Sequence, residues 1–118
     1  MGKAYRALAS EEDRIKAGLA LQLVAASTGV TMETMTAQER LGVRACRARR
    51  LAMYLAHVAF GWQLERVGHA FGLNRATVAQ ACRWAEDERE RPIIDALLDR
   101  LEGCVHLVFD VAPSEAPV

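Results

Sequence analysis

Proline is scarce in this 118-residue chain, with three in all, and long β-branched runs are few, which argues against a sheet protein. No apolar run approaches the length that crosses a membrane, so no membrane partner is expected. The cysteines number three, at positions 46, 82 and 104. An odd count is no disulfide framework and fits a reducing cytoplasm. The opening MGKAYRALASEEDR lacks an apolar core and turns acidic at once, unlike a signal peptide. Arg6 stands where a myristoylation motif needs serine or threonine. Neither the cysteines nor His57, His69 and His106 fall at C-x-x-C, H-x-x-x-H or H-E-x-x-H spacing, so no metal site is expected. No nucleophile–base pair can be read from the chain, so neither an enzyme nor a cofactor is expected. There is no internal repeat.

What is present is helical. Hydrophobic residues make up 52 % of the chain, much of it alanine and leucine, which favour helix. Residues 1–10 read as a flexible lead-in. Ser10 with Glu11, Glu12 and Asp13 reads as a capped helix start. Ile15, Leu19, Leu23 and Ala26, widened by Leu21 and Val24, form its expected apolar face, and Thr28-Gly29 stops it. Thr31 to Met35 suggests one short helical turn, and Thr36 with Glu39 a capping box. A further helix is expected over about 47–60, with Leu51, Tyr54, Leu55 and Val58 inward and Gly61 closing it. Met53 and Trp62 read as core.

The stretch LERVGHAFGLNRATVAQACR, 64–83, reads as a helix-turn-helix. Leu64, Val67, Gly68 and Phe71 share one face of a short helix. Gly72 supplies the left-handed stop and Asn74 the cap of a second helix. That helix buries Val78, Ala81, Cys82 and Ala85 and turns Ala76, Gln80 and Arg83 outward, with Arg75 and Thr77 near its start. Two helices in this layout place side chains in a major groove. An ordinary helical hairpin shares the pattern, but the charge separates the two readings. The chain is neutral as a whole, yet from Arg40 to Arg83 there are eight arginines, no lysine and one acid, Glu65. From Ala85 to Gly103 seven acids face three arginines. A basic, arginine-only centre is the footprint of a DNA binder, because arginine grips phosphates and guanine edges with paired hydrogen bonds.

Pro92 should break the helix near Arg91 and open another, with Ile93, Ile94, Leu97, Leu98 and Leu101 inward and Gly103 as its stop. Residues 11–103 therefore form the expected domain. Residues 104–118 form a tail, with a short strand over Val105–Val111 and a mobile Pro- and Ala-rich end. A lone strand needs something to pair with, so the tail is the candidate contact for a homodimer.

The motifs LAMYLA, AFG, ATV and ACR resemble, in order, those of the C-terminal DNA-binding domain of the bacterial replication initiator DnaA. Ala52, Met53, Leu55 and Ala56 match the helix before the hairpin. Val67, Gly68, Ala70, Phe71 and Gly72 match the hairpin's first helix, and Thr77, Val78, Ala81, Cys82 and Arg83 its second. The resemblance covers about residues 11–103 and implies an all-α bundle containing a helix-turn-helix, with a short extended C-terminal tail. It implies base contacts from Asn74, Arg75, Thr77, Gln80 and Arg83. The family's phosphate-contacting basic loop has its counterpart in Arg40, Arg44, Arg47, Arg49 and Arg50, to which His57 and Arg66 are added. The family's base-reading D-H-T-T becomes Asn74, Arg75, Ala76 and Thr77, with one residue fewer after Gly72, so the groove-facing chemistry differs from the initiator's own. No G-x-x-x-x-G-K-[ST] phosphate loop occurs, so an ATP-driven initiator is not expected.

A stand-alone copy of this domain is similar to the DNA-binding half of gene transfer agent activators, where such a domain binds a promoter and an accessory protein contacts RNA polymerase. The expected function is therefore sequence-specific binding of double-stranded DNA by a cytoplasmic, nucleoid-associated transcription regulator. Its expected partners are DNA and a second transcription factor or RNA polymerase-associated protein. The alternatives are a regulator of replication initiation acting at initiator sites, and an interaction module without DNA affinity that works through the acidic 86–90 segment and the apolar tail.

Overall fold

In the computed structural model, residues 9–37 and 40–109 are described. They form six helices and, among the described residues, no strand. These are α1 (Glu11–Thr28), α2 (Met32–Met35), α3 (Val43–Phe60), α4 (Leu64–Phe71), α5 (Arg75–Glu88) and α6 (Pro92–Phe109). Helix α3 is the axis of the bundle and packs on each of the other five. It buries nine side chains, among them Leu51, Met53, Tyr54 and Leu55, and starts one turn earlier than its sequence suggests.

Helix α1 begins where expected. The Ser10 hydroxyl accepts from the Asp13 amide at 3.0 Å, and Gly29 ends the helix at φ 77°. Its inward face, however, is not the one that the long side chains mark. Ala17, Ala20, Leu21 and Val24 are buried, whereas Ile15 is 63 % exposed, Ala26 is exposed, and Leu19 and Leu23 are half-buried. The reason is size. α1 packs on α3, whose inner positions include Ala45, Ala48, Ala52 and Ala56, and small residues on both helices let the backbones approach closely. The face was chosen by fit rather than by hydrophobicity.

The short turn α2 forms as read, capped by the Thr31 hydroxyl on the Thr34 amide at 3.1 Å, and Met35 is fully buried. Thr36 does not open the next helix. It closes α2, with its hydroxyl donating to the Met32 carbonyl at 2.8 Å. Glu39, the other half of the expected capping box, lies outside the described residues. Gly42 caps α3 and offers no side chain for it.

The hairpin forms residue for residue. Val67 and Gly68 are buried on α4, Leu64 and Phe71 half-buried. Gly72 adopts φ 72°, the left-handed region open to glycine. The Asn74 carboxamide oxygen accepts from the Thr77 amide at 2.8 Å, and Val78, Ala81, Cys82 and Ala85 are the buried residues of α5.

The break near Arg91 falls where it was expected: helix α5 stops at Glu88, Arg89 to Arg91 form the turn, and Pro92 opens the next helix. Two expectations beyond it are corrected. Gly103 stops nothing. Helix α6 runs through it to Phe109 and buries Leu98, Leu101 and Val105. The Phe109 ring meets the Phe60 ring edge-on at 5.5 Å, and Lys16 reaches over both. A mid-helix glycine costs about 1 kcal/mol against alanine. Burying one valine returns about 1.5–3 kcal/mol, so packing overrides both the glycine and the β-branched run. The strand expected over Val105–Val111 is therefore helix as far as Phe109, and its remainder lies outside the described residues.

Candidate nucleic-acid interface

The hairpin presents α5 with one face in the core and the other in solvent. Arg75, Ala76, Gln80 and Arg83 are exposed and Thr77 is half-buried. With its side chains the helix is about 10–12 Å across, which a major groove about 12 Å wide admits. Asn74 is exposed, but its carboxamide oxygen is committed to the cap.

The seven residues expected at phosphates divide by their surroundings. Arg40 and Arg47 are exposed. Arg44 is exposed and donates to the Thr28 carbonyl at 3.0 Å, closing the end of α1. Arg50 lies over the Trp84 ring, 5.6 Å from its centre, and so ties α3 to α5 by a cation–π contact. Arg49 is half-buried, and its Nε is buried without a hydrogen-bond partner. His57 turns inward, its Nδ1–H donating to the Trp62 carbonyl at 2.6 Å.

Arg66 is exposed, but its guanidinium is engaged. Its Nε and Nη2 each donate to Asp13 at 2.9 Å, and its guanidinium lies 4.8 Å from the Trp62 ring centre. Asp13 is the buried charged residue among the described residues. Its hydrogen bond to Arg66 holds the carboxyl below its ordinary range against the opposing effect of burial. The same bond raises the Arg66 value. This pair joins residues 53 positions apart, and sequence spacing carries no signal for it.

The acidic flank is gathered at the α5–α6 elbow. Arg89 donates to Asp95 at 2.6 Å and Asp99 at 3.0 Å, and lies 3.8 Å from Glu102. Its Nε donates to the Tyr54 hydroxyl at 2.9 Å, which in turn donates to Glu86. Burial disfavours the Arg89 charge, but the bonds to Asp95, Tyr54 and Asp99 outweigh it and hold the proton more firmly than usual. Burial, and then the Glu86 carboxylate, raise the Tyr54 hydroxyl above its ordinary value. Arg91 pairs with Glu88 at 3.2 Å.

No cluster of three metal-ligating side chains exists among the described residues, and none of the described helices is long and apolar enough to cross a membrane. Cys46 is half-buried, Cys82 buried and Cys104 exposed. Burial, with the Glu86 charge second, pushes the Cys82 thiol up to about 11, which suits a small core residue rather than a nucleophile.

The comparisons with known proteins converge on this hairpin. The family model described as the bacterial DnaA protein helix-turn-helix matches residues 19–84. The chromosomal replication initiator protein DnaA of Thermodesulfovibrio yellowstonii is 28 % identical over 102 residues, covering 81 % of this chain and 23 % of that protein. The chain thus spans about a quarter of the length of that curated relative. No solved structure matches. The family match takes in α2 to α4 whole, most of α1 and α5 as far as Trp84, which is more than half of the chain: the chain belongs to the family of bacterial DnaA helix-turn-helix domains.

Proposed function

We propose that this chain binds double-stranded DNA sequence-specifically as a transcription regulator, with α5 in the major groove. The observation that carries this reading is the division of α5. Its four apolar residues at i, i+3, i+4 and i+7 are buried, while Arg75, Gln80 and Arg83 are exposed on the other side. In this reading Arg75, Thr77, Gln80 and Arg83 approach base edges. Asn74 sets the start of the helix and contributes at most its amide group to a base. Arg40, Arg44, Arg47 and Arg50 hold phosphates and fix the register, and α3, with no side chain capping its N-terminus, adds a favourable dipole for a phosphate. Arg66 and His57 serve the fold first.

The regulator acts as a promoter-binding activator with an accessory protein that contacts RNA polymerase, and a second copy supplies the other half-site. Leu107 at 70 % and Val108 at 54 % exposure on the last turns of α6 are the surface assigned to that copy. A second reading, action at replication-initiator sites, draws on the initiator among its relatives. The changed residues at 74–77 speak against a shared target box. Selection of bound fragments from a genomic library, followed by anisotropy titration at two salt concentrations, tests the proposal. Enrichment of one motif in promoters supports it. Enrichment of clustered initiator sites supports the second reading, and binding without sequence preference refutes both.

A further inference from the structure

Behind the recognition hairpin lies a cleft of about 740 Å³, walled by α1, α2, Arg49 of α3 and the turn between α4 and α5. That volume falls in the range of small-molecule sites. Arg49 supplies a polar group, and Leu21, Met32 and Phe71 supply apolar surface. None of the described residues that line it is acidic. The Arg49 Nε is shielded from water and has no hydrogen-bond partner, although a guanidinium stays charged under all ordinary conditions. The packing of the protein therefore leaves a donor beside this cleft that a turn of the guanidinium towards an acceptor in the cleft would satisfy.

We propose that the cleft is a binding site for a small amphipathic anion, a carboxylate carrying an apolar chain or ring. The guanidinium fork of Arg49 matches a carboxylate with two parallel hydrogen bonds, and the apolar walls take the body of the ligand. Gly72 and Leu73 line the cleft and lead directly into the Asn74 cap of α5. Occupancy therefore bears on the start of the recognition helix, a consequence that rests on the DNA-binding reading. The site itself does not.

The test uses the full chain without DNA and follows ¹⁵N-resolved NMR signals, including the arginine Nε–Hε group of Arg49. The probe is 4-phenylbutyrate, with 4-phenylbutylamine as its cationic match. The acid is expected to shift the Arg49 side-chain signal and the Gly18 and Gly72 amides in a saturable way, and the amine is not. Gly18 lines the cleft, and a Cβ built there meets nothing within 4 Å. Gly18→Leu therefore starts a branched side chain from open space towards the cleft and favours the helix. It is expected to weaken the acid at least about tenfold with no loss of melting temperature, and Gly18→Ala to retain most of the binding. Equal shifts with the amine, no saturation with the acid, or undiminished binding to Gly18→Leu would each overturn the proposal. So would a DNA duplex that moves the Arg49 signal where the acid does not, since Arg49 would then be a backbone contact alone. Failure to bind DNA leaves these readouts intact, so the two readings fail separately.

Discussion

Removing Arg66 should cost more than removing Asp13, although the two share one interaction. The Asp13 side chain is 11 % exposed and the Arg66 side chain 51 %. Asp13→Asn keeps the shape and loses the charge, and the half-exposed guanidinium left behind recovers much of its hydration. Two charge-assisted bonds are weakened rather than lost, so about 1–2 kcal/mol is expected. Arg66→Met leaves a carboxylate in the core with no cation bonded to it and strips the contact on Trp62, which points to about 3 kcal/mol. Urea unfolding followed by circular dichroism at pH 7 measures both. The pH dependence provides a second check. The Asp13 carboxyl is depressed in the folded state, so its contribution is present above the unfolded value near 3.8 and fades as pH falls through the folded value below that. The gap between wild type and Asp13→Asn should hold from pH 7 to about pH 5 and close in more acid solution. Equal costs for the two variants at neutral pH, or a gap that persists below the depressed value, would refute this account. Arg66→Met should also leave the salt dependence of DNA binding unaltered, and a slope smaller by about one would return Arg66 to the phosphates.

Four further outcomes follow from the same geometry. Arg75→Ala should cost about 1–3 kcal/mol of DNA binding and relax preference at one base pair, as read by anisotropy over a panel of single-site variants of the selected motif; a uniform loss over all sequences would make it a phosphate contact. Arg47→Ala should weaken all duplexes alike and lower the salt slope by about one, measured between 50 and about 200 mM salt. Asn74→Ala should cost about 1 kcal/mol of stability through the lost cap, and a variant as stable as wild type in urea would deny Asn74 its capping role. Gly103→Ala should stabilise the fold by about 1 kcal/mol, because Gly103 sits in α6 with open space around it; a lower melting temperature would contradict the continuous helix.

The hairpin was legible because its signals are local and agree. Gly72 and Asn74 bracket a turn, and the four inward residues of α5 are all apolar at strict helical spacing. Helix α1 was legible in extent but not in orientation, because its buried face is carried by Ala17 and Ala20 while larger Ile15 faces solvent. The end of α6 was hidden because Gly103 and the valines obey local propensity, whereas the deciding contacts with Phe60 lie more than forty residues away. For the interface, charge composition located the basic centre. It could not separate arginines that face solvent from those engaged elsewhere, because Asp13 for Arg66 and Trp84 for Arg50 are brought close only by folding.

Arg89 sits where three helices meet, reaching Tyr54 on α3 and three carboxylates spaced a turn apart along α6. Such a strut makes the bend between α5 and α6 a bracket rather than a hinge. Any cargo fastened to the tip of α6 would then keep a constant bearing relative to a duplex bound at α5. Its reach would be set by the eighteen-residue length of α6, about 27 Å, and not by the slack of a tether.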